Sequence, residues 1–509
     1  MTDWTDGYVT TTEYTAHFYP YLAPSVQNFA LLLSGYMPVD LSGGYTYCEL
    51  GCGRGYSTAL LAAANPGGHF WGVDFNPAHI AGAEKMKAAA GIANVTFLEK
   101  SFVELTAMPG LPSFDFIALH GVWSWINAAN RDAIVSFIYS KLKPGGVVYI
   151  SYNCLPGWAA IAPLRQLMVE SQRHRPEMDA PSADAAIALA KRMRDLQQGY
   201  FAANPQAGAN LDIIEGMSRN YLLHEYFNRD WAPFYFSDVA ADLKAAKLSY
   251  ACSNSLVEQI EQLCLTPDAI GLLKDVTDTT ARETIKDYFL NSRFRRDQFT
   301  RGARKLSQQE RASMMEGLRL VLTGPMPAFP LQIRVPIGAI TIPAEPCRAI
   351  AEALAEGPLT FGELKARPGL SALASQAVFQ GLLMLAAANL VQPCLPGAGE
   401  ERRRESVARF NTAMLLQPAA LESAMMASTV LGNGTSVPQL DQFILSLQAA
   451  GKSLSPLEVL REMDARNIKL RQAGVPDGAA ANTLQMVETA LQEFLQRRLP
   501  IYHRLGVAP

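Results

Sequence analysis

The run Tyr47-Cys48-Glu49-Leu50-Gly51-Cys52-Gly53-Arg54-Gly55 constrains the fold more than any other stretch of this chain. An apolar strand leads into Glu49-x-Gly51-x-Gly53-x-Gly55, and the small apolar residues Tyr56 to Ala64 that follow predict a helix. A second strand, His69 to Val73, ends in an acid, Asp74. Strand, glycine loop, helix, strand and acid make up half of a nucleotide-binding α/β unit. Glycines let the backbone turn sharply and approach a ligand closely. The acid after the second strand is placed to take both hydroxyls of a ribose. A dinucleotide site has Gly-x-Gly-x-x-Gly, with a helix N-terminus aimed at a pyrophosphate. Here the spacing is Gly-x-Gly-x-Gly, and Glu49 beside the loop repels a pyrophosphate and favours an ammonium group. A glycine turn in some other α/β fold is the competing reading.

S-adenosylmethionine (SAM) carries an α-ammonium and a sulfonium where a dinucleotide carries phosphates. The Glu49 to Gly55 pattern resembles the first motif of class I SAM-dependent methyltransferases. Later landmarks extend the resemblance. Asn94 to Leu98 predicts a third strand, followed by Lys100-Ser101-Phe102, where many members of that family place an Asp for the adenine amine. Ser101 departs from that pattern and leaves adenine to its own hydroxyl, to the Phe102 backbone or to stacking. Phe114 to Leu119 predicts a fourth strand ending at His120-Gly121, at the carboxyl end where open parallel sheets hold ligands. Lys143-Pro144-Gly145-Gly146 and then Val147 to Ile150 look like the family's turn and fifth strand. The resemblance implies SAM as cofactor, with a binding set of Tyr14, Tyr19, Glu49, Gly51, Cys52, Gly53, Gly55, Asp74, Phe75, Ser101, Phe102, His120 and Gly121.

The seven cysteines form no Cys-x-x-Cys pair, and Cys48 and Cys52 sit around the glycine loop, so no metal site is expected. A reduced cytoplasmic protein with mostly buried thiols is expected. Net charge is −3, from 44 basic and 47 acidic residues scattered along the chain, which calls for neither nucleic acid nor an anionic membrane. No apolar run is long enough to span a bilayer. Met1 to Asp6 lacks the basic region and apolar core of a signal peptide.

A chain of 509 residues predicts about three domains. Residues 1–45 are aromatic-rich (Tyr8, Tyr14, His17, Phe18, Tyr19, Tyr21, Phe29) and read as a lid over the cofactor or as a helix packed on the sheet. Residues 46–160 form the SAM-binding core. Residues 161–323 form a helical insertion followed by Tyr221-Leu-x-His224-Glu225-x-Phe227-Asn228 and Asp287-Tyr-Phe-Leu-Asn291-x-Arg293-Phe-Arg-Arg296. These strings resemble the methyltransferase regulatory domain found behind class I methyltransferases in bacterial proteins. The run Arg282 to Phe299 reads as amphipathic and basic on one side.

Residues 324–400 open on a linker-like Gly324-Pro-Met-Pro and predict three helices and a short strand, a winged-helix-like order. No Lys, Arg or His lies between Pro368 and Glu400, so DNA binding is not expected there. A packing or dimer surface, and with it a homodimer, is the expectation. Residues 401–509 read as helical again, with Val430 to Pro438 as a glycine-bearing loop. The expected fold class is α/β: a Rossmann-like methyltransferase sheet followed by mainly α-helical regulatory and C-terminal, winged-helix-like, domains.

Trp123 and Trp125 follow the fourth strand, and Tyr152, Asn153 and Trp158 follow the fifth, where a methyl acceptor must sit. Aromatic faces attract cations, although the tryptophans also read as caps on the domain edge. His120 has a side chain able to take a proton near neutral pH, or it packs against the cofactor. These six are the candidate catalytic residues. The layout is similar to bacterial protein-lysine methyltransferases that act on outer-membrane proteins, which implies a protein substrate, an outer-membrane or surface protein among the candidates. An aromatic, poorly hydrated pocket lowers a lysine pKa from its usual value of about 10.4. A small-molecule N- or O-methyltransferase and a non-catalytic SAM-binding scaffold are the competing readings.

Overall fold

A computed structural model describes residues 18–174, 179–416, 425–466, 468 and 483–508. Seven strands form its central sheet: β1 (Thr46–Leu50), β2 (His69–Asp74), β3 (Val95–Glu99), β4 (Phe114–Leu119), β5 (Leu142–Asn153), β6 (Ser249–Ser253) and β7 (Phe294–Thr300), in the order β3-β2-β1-β4-β5-β7-β6. The first five pair in parallel, and β7 runs antiparallel to both β5 and β6. Parallel strands are covered on both faces, which is why β1 and β4 read as near-continuous apolar runs. The strand order reverses on either side of β1, so a crevice opens at the carboxyl ends of β1 and β4.

Helices α1 (Pro24–Leu33), α2 (Tyr56–Ala64), α3 (Pro77–Ala90), α4 (Phe102–Ala107) and α5 (Ala128–Lys141) belong to this core. Every residue of α2 is buried, because the C-terminal part of the chain lies over it. The antiparallel hairpin of Met425–Ser428 and Asn433–Ser436 receives the Tyr56 hydroxyl at the Met425 carbonyl (2.6 Å). The Asn65 amide donates to the Gly432 carbonyl (2.8 Å), and the Ser25 hydroxyl to the Leu431 carbonyl (3.0 Å). The Val430 to Pro438 stretch is therefore part of a hairpin, not only a loop. In the stretch of chain between core and hairpin, strand Arg319–Leu322 pairs with Leu359–Thr360 and Val391–Pro393. Around it stand helices Cys347–Glu356, Phe361–Lys365 and Ser375–Ala387, in the helix order the sequence predicts.

Three local expectations change. The Lys143 to Gly146 turn lies inside β5, where Gly145 takes φ 79° and the β4 pairing is irregular between Phe114 and Phe116. The run Arg282 to Phe299 is no continuous amphipathic segment. It is helix Thr279–Leu290, a left-handed Asn291 (φ 46°), and then β7, which completes the core sheet. Of the aromatic N-terminal segment, Tyr8, Tyr14 and His17 lie outside the described residues, and Phe18 packs into the core against Leu60 and Gly434.

β5 and β7 are joined by a buried ionic cluster. The Arg295 guanidinium reaches Asp297 (2.7 Å), Asp287 (2.8 Å) and Glu283 (2.9 Å) and lies over the Phe236 ring. The Tyr152 hydroxyl donates to Asp297 (2.7 Å). Tyr152 is fully buried in this cluster and faces away from the crevice, which corrects its expected place in an acceptor pocket. Tyr152→Phe leaves buried Asp297 short of one donor. It should cost about 1–3 kcal/mol of stability and leave SAM affinity unchanged, as urea unfolding and calorimetry would show.

Candidate active site

A cavity of about 560 Å³ occupies the crevice at the carboxyl ends of the parallel strands. Its floor is the glycine loop. Gly51 (φ 73°) and Gly53 (φ 53°) take left-handed conformations that side chains resist, and the N–H groups of Gly51 and Cys52 both donate to the Val73 carbonyl (2.8 and 2.9 Å). A Cβ on Gly51 would fall 2.5 Å from Val122, whereas Gly53 meets nothing within 4 Å and bares its backbone to the cavity. Asp74, at the end of β2, is fixed beside it. Its carboxylate accepts from the N–H of Gly53 (2.9 Å) and of Asn76 (3.0 Å), and lies 3.1 Å from His79 Nδ1.

Of the expected cofactor set, Tyr19, Gly51, Gly53, Asp74, Phe75, Ser101, Phe102, His120 and Gly121 line this cavity. Three do not. Gly55 starts α2 wedged against Phe97 and Ala83, where a Cβ would come within 2.6–2.7 Å, so it serves helix packing. Cys52 is buried behind the loop, where burial pushes its thiol well up. Glu49 is buried beneath the loop and accepts from the Thr58 hydroxyl (2.5 Å). Burial, reinforced by the Asp74 charge, pushes Glu49 up to about 7 against the lowering effect of the Thr58 bond. Tyr14 lies outside the described residues.

Ser101 reaches the cavity with its hydroxyl already engaged. It donates to Glu104 (2.9 Å) and accepts from the Glu104 N–H (3.3 Å), capping α4. Phe102 and Phe75 line the same edge of the cavity.

His120 Nδ1 sits 2.9 Å from the Tyr149 hydroxyl and 3.3 Å from Ser151 Oγ, and its ring lies 3.8 Å from that of Tyr19. Burial, with the nearby Arg296 charge, holds the imidazole down to about 3. It is neutral across the physiological range and too weak a base to collect a proton. In place of the expected proton-accepting role, the structure shows the ring packed on Tyr19.

Among the other candidate catalytic residues, Trp125, Asn153 and Trp158 line the cavity. Trp123 points the other way and is wholly buried in the core under α5, so it is removed from the acceptor site. The far wall comes from residues that sequence reasoning quoted without giving them chemistry. Tyr221, Glu225 and Tyr226 lie on helix Arg219–Tyr226, and Phe294 and Arg296 on β7. The alternation of a strand was a readable signal: Phe294 and Arg296 share the cavity face, while Arg295 and Asp297 share the ionic cluster.

The residues present fit a nucleoside-bearing cofactor: an acid locked at the floor, bare glycine backbone beside it and aromatic residues at its edge. With the Rossmann-like sheet closed by an antiparallel β7, they define a class I SAM-dependent methyltransferase. Residues 41–199 match the family described as a methyltransferase domain, and residues 218–301 the one described as "Predicted methyltransferase regulatory domain". An uncharacterized protein of Synechocystis is 37% identical over 506 residues, 99% of this chain and 100% of that protein. An uncharacterized protein of Rickettsia prowazekii is 28% identical over 247 residues, 48% of this chain and 44% of its own length. The structure of PKMT2 from Rickettsia typhi in complex with AdoHcy superposes with a TM-score of 0.72 at 19% identity, over 97% of this chain and 100% of that one. The chain belongs to the SAM-dependent methyltransferases that carry a methyltransferase regulatory domain, and SAM is its cofactor. Among the described residues, no helix is long and apolar enough to cross a membrane.

Proposed function

We propose that this enzyme methylates lysine side chains of a protein substrate, an outer-membrane or surface protein among the candidates. The observation that carries this reading is the double character of one cavity. Glycine loop and Asp74 line it together with Trp125, Trp158, Tyr226 and Glu225. The fold shared with PKMT2 from Rickettsia typhi, solved in complex with AdoHcy, supports the cofactor half of this reading. The seven cysteines, all free and buried, support a reducing, cytoplasmic setting. In the same reading residues 46–160 are the SAM-binding core, residues 161–323 complete the acceptor wall, and the winged-helix-like unit of residues 324–400 offers a homodimer surface.

SAM supplies a methyl group made electrophilic by its sulfonium. The chain's part is to bind, orient and keep water out. Asp74 takes the ribose hydroxyls, Gly53 admits the cofactor close to the backbone, and Phe75 and Phe102 flank the adenine. Glu49, beneath the loop, complements the ammonium. Trp125, Trp158 and Tyr226 present aromatic surface to the lysine chain, and their poor hydration disfavours its charged form. Glu225, at the same wall, places negative charge where the lysine cation enters. Trp125→Ala should lower kcat by on the order of 100-fold by loosening the acceptor and leave SAM affinity nearly unchanged. Detection of methyl-lysine by mass spectrometry in wild-type and variant reactions tests both the reading and this residue.

Glu49 also sets a pH dependence. With its pKa near 7 in the free protein, an ammonium nearby favours the carboxylate and lowers that pKa. Cofactor binding then releases a proton, so affinity should rise with pH between about 5 and 7 and level off above. Calorimetry in buffers of different ionisation enthalpy measures the proton, and Glu49→Gln should remove both the release and the slope. A slope that survives Glu49→Gln would reassign the titration to another group.

A metabolite amine is the second reading, because a cavity of about 560 Å³ lies within the ordinary range for small-molecule sites.

A further inference from the structure

β7 turns two neighbouring arginines to opposite faces, and only one has counter-ions. Arg295 is held by three carboxylates. Arg296 lines the cavity, and among the described residues its guanidinium meets no carboxylate. Its Nε is buried with no hydrogen-bond partner. The guanidinium packs on the rings of Tyr21 (4.7 Å) and Phe294 (4.9 Å), which satisfies its π-faces and leaves its N–H donors unspent. A guanidinium edge with unspent donors in a partly dehydrated place matches a carboxylate, and an orphaned donor there is costly until such a partner arrives.

The position says which carboxylate. Arg296 pairs in register with Ser151, whose hydroxyl accepts from the Gly121 N–H (3.0 Å), and it stands beside His120. That is the β4–β5 end of the crevice, across the glycine loop from Asp74. A cofactor whose ribose lies on Asp74 extends its amino-acid end toward this side. His120, kept neutral, adds no competing charge there.

We infer that Arg296 anchors the α-carboxylate of the bound cofactor. The inference rests on the assignment of the ribose to Asp74. An acceptor-borne carboxylate is the other source of the same chemistry, and the test separates the two.

The probes are SAM and decarboxylated SAM, which keeps the sulfonium and the amine and lacks only the carboxylate, with affinities measured by calorimetry. Wild type should prefer SAM by about tenfold or more. Arg296→Met, which keeps an aliphatic stack on Tyr21, should erase that preference by weakening SAM and leaving decarboxylated SAM within about twofold. Arg296→Lys should keep part of the preference and controls for folding. Equal weakening of both ligands by Arg296→Met, or none, would overturn the assignment. So would unchanged affinities with a raised acceptor KM, which would give the arginine to the acceptor. Wild type that binds neither ligand would overturn the cofactor reading itself and this assignment with it.

Discussion

Arg295→Ala should destabilise the protein by about 3–5 kcal/mol, the usual cost of removing one partner from a buried ionic network. Asp297 is fully buried, and its carboxyl is raised by burial even with Arg295 in place. Asp287 is pushed up to about 6 by burial, with Arg295 opposing the rise. Without the guanidinium, the three carboxylates keep the Tyr152 and Tyr250 hydroxyls and the Lys286 charge near Glu283 as only a partial offset. They must take up protons or pull water into the junction of β5, β7 and helix Thr279–Leu290. The loss therefore grows with pH, because carboxylates whose folded pKa is raised above the unfolded value destabilise the fold as pH climbs through that window. Arg295→Lys restores one charge without the fork that reaches three acids, and should recover only part of the loss. Urea unfolding midpoints at pH 5 and pH 8 check this. A variant as stable as wild type at pH 8 would show that the cluster does not hold the sheet's antiparallel edge.

Asp74→Asn should weaken SAM binding by on the order of 100–1000-fold. Hydrogen bonds to a charged acceptor contribute about 1.5–3 kcal/mol each, and the carboxylate is proposed to hold two ribose hydroxyls while it already fixes the Gly53 N–H. The substitution keeps the size of the side chain and turns one acceptor into a donor. The Asn76 or Gly53 N–H then faces an amide it cannot satisfy, so the loop loosens as well as the ligand. Calorimetry with S-adenosylhomocysteine reads the loss without turnover. Full affinity in Asp74→Asn would remove the ribose from this acid, and with it the orientation assigned to the cofactor.

The parallel half of the fold was readable because its signals are local. The glycine loop, its strand and helix, and the acid after β2 are set by backbone conformation and apolar runs, which a sequence displays directly. The antiparallel half was hidden by charge. Arg295 and Asp297 look like a solvated surface, yet their mutual pairing lets β7 lie inside the sheet. In the site the errors follow side-chain direction. Asn153 and Tyr152 are neighbours on β5, and the period of two sends one to the cavity and the other to the ionic cluster. Trp123 and Trp125 part for a different reason: a 3-10 helix has three residues per turn, so residues two apart point to different sides. Helix Arg219–Tyr226 gives no local hint that it faces the crevice, because that placement depends on packing between segments far apart in the chain.

The central claim, methyl transfer from SAM to protein lysine, is tested most directly by incubating the purified enzyme with methyl-labelled SAM and a fractionated lysate of its host, membrane proteins included. Label in polypeptide, recovered as methyl-lysine after acid hydrolysis, is the result the account predicts. Label confined to the small-molecule fraction would contradict it and move the acceptor to a metabolite.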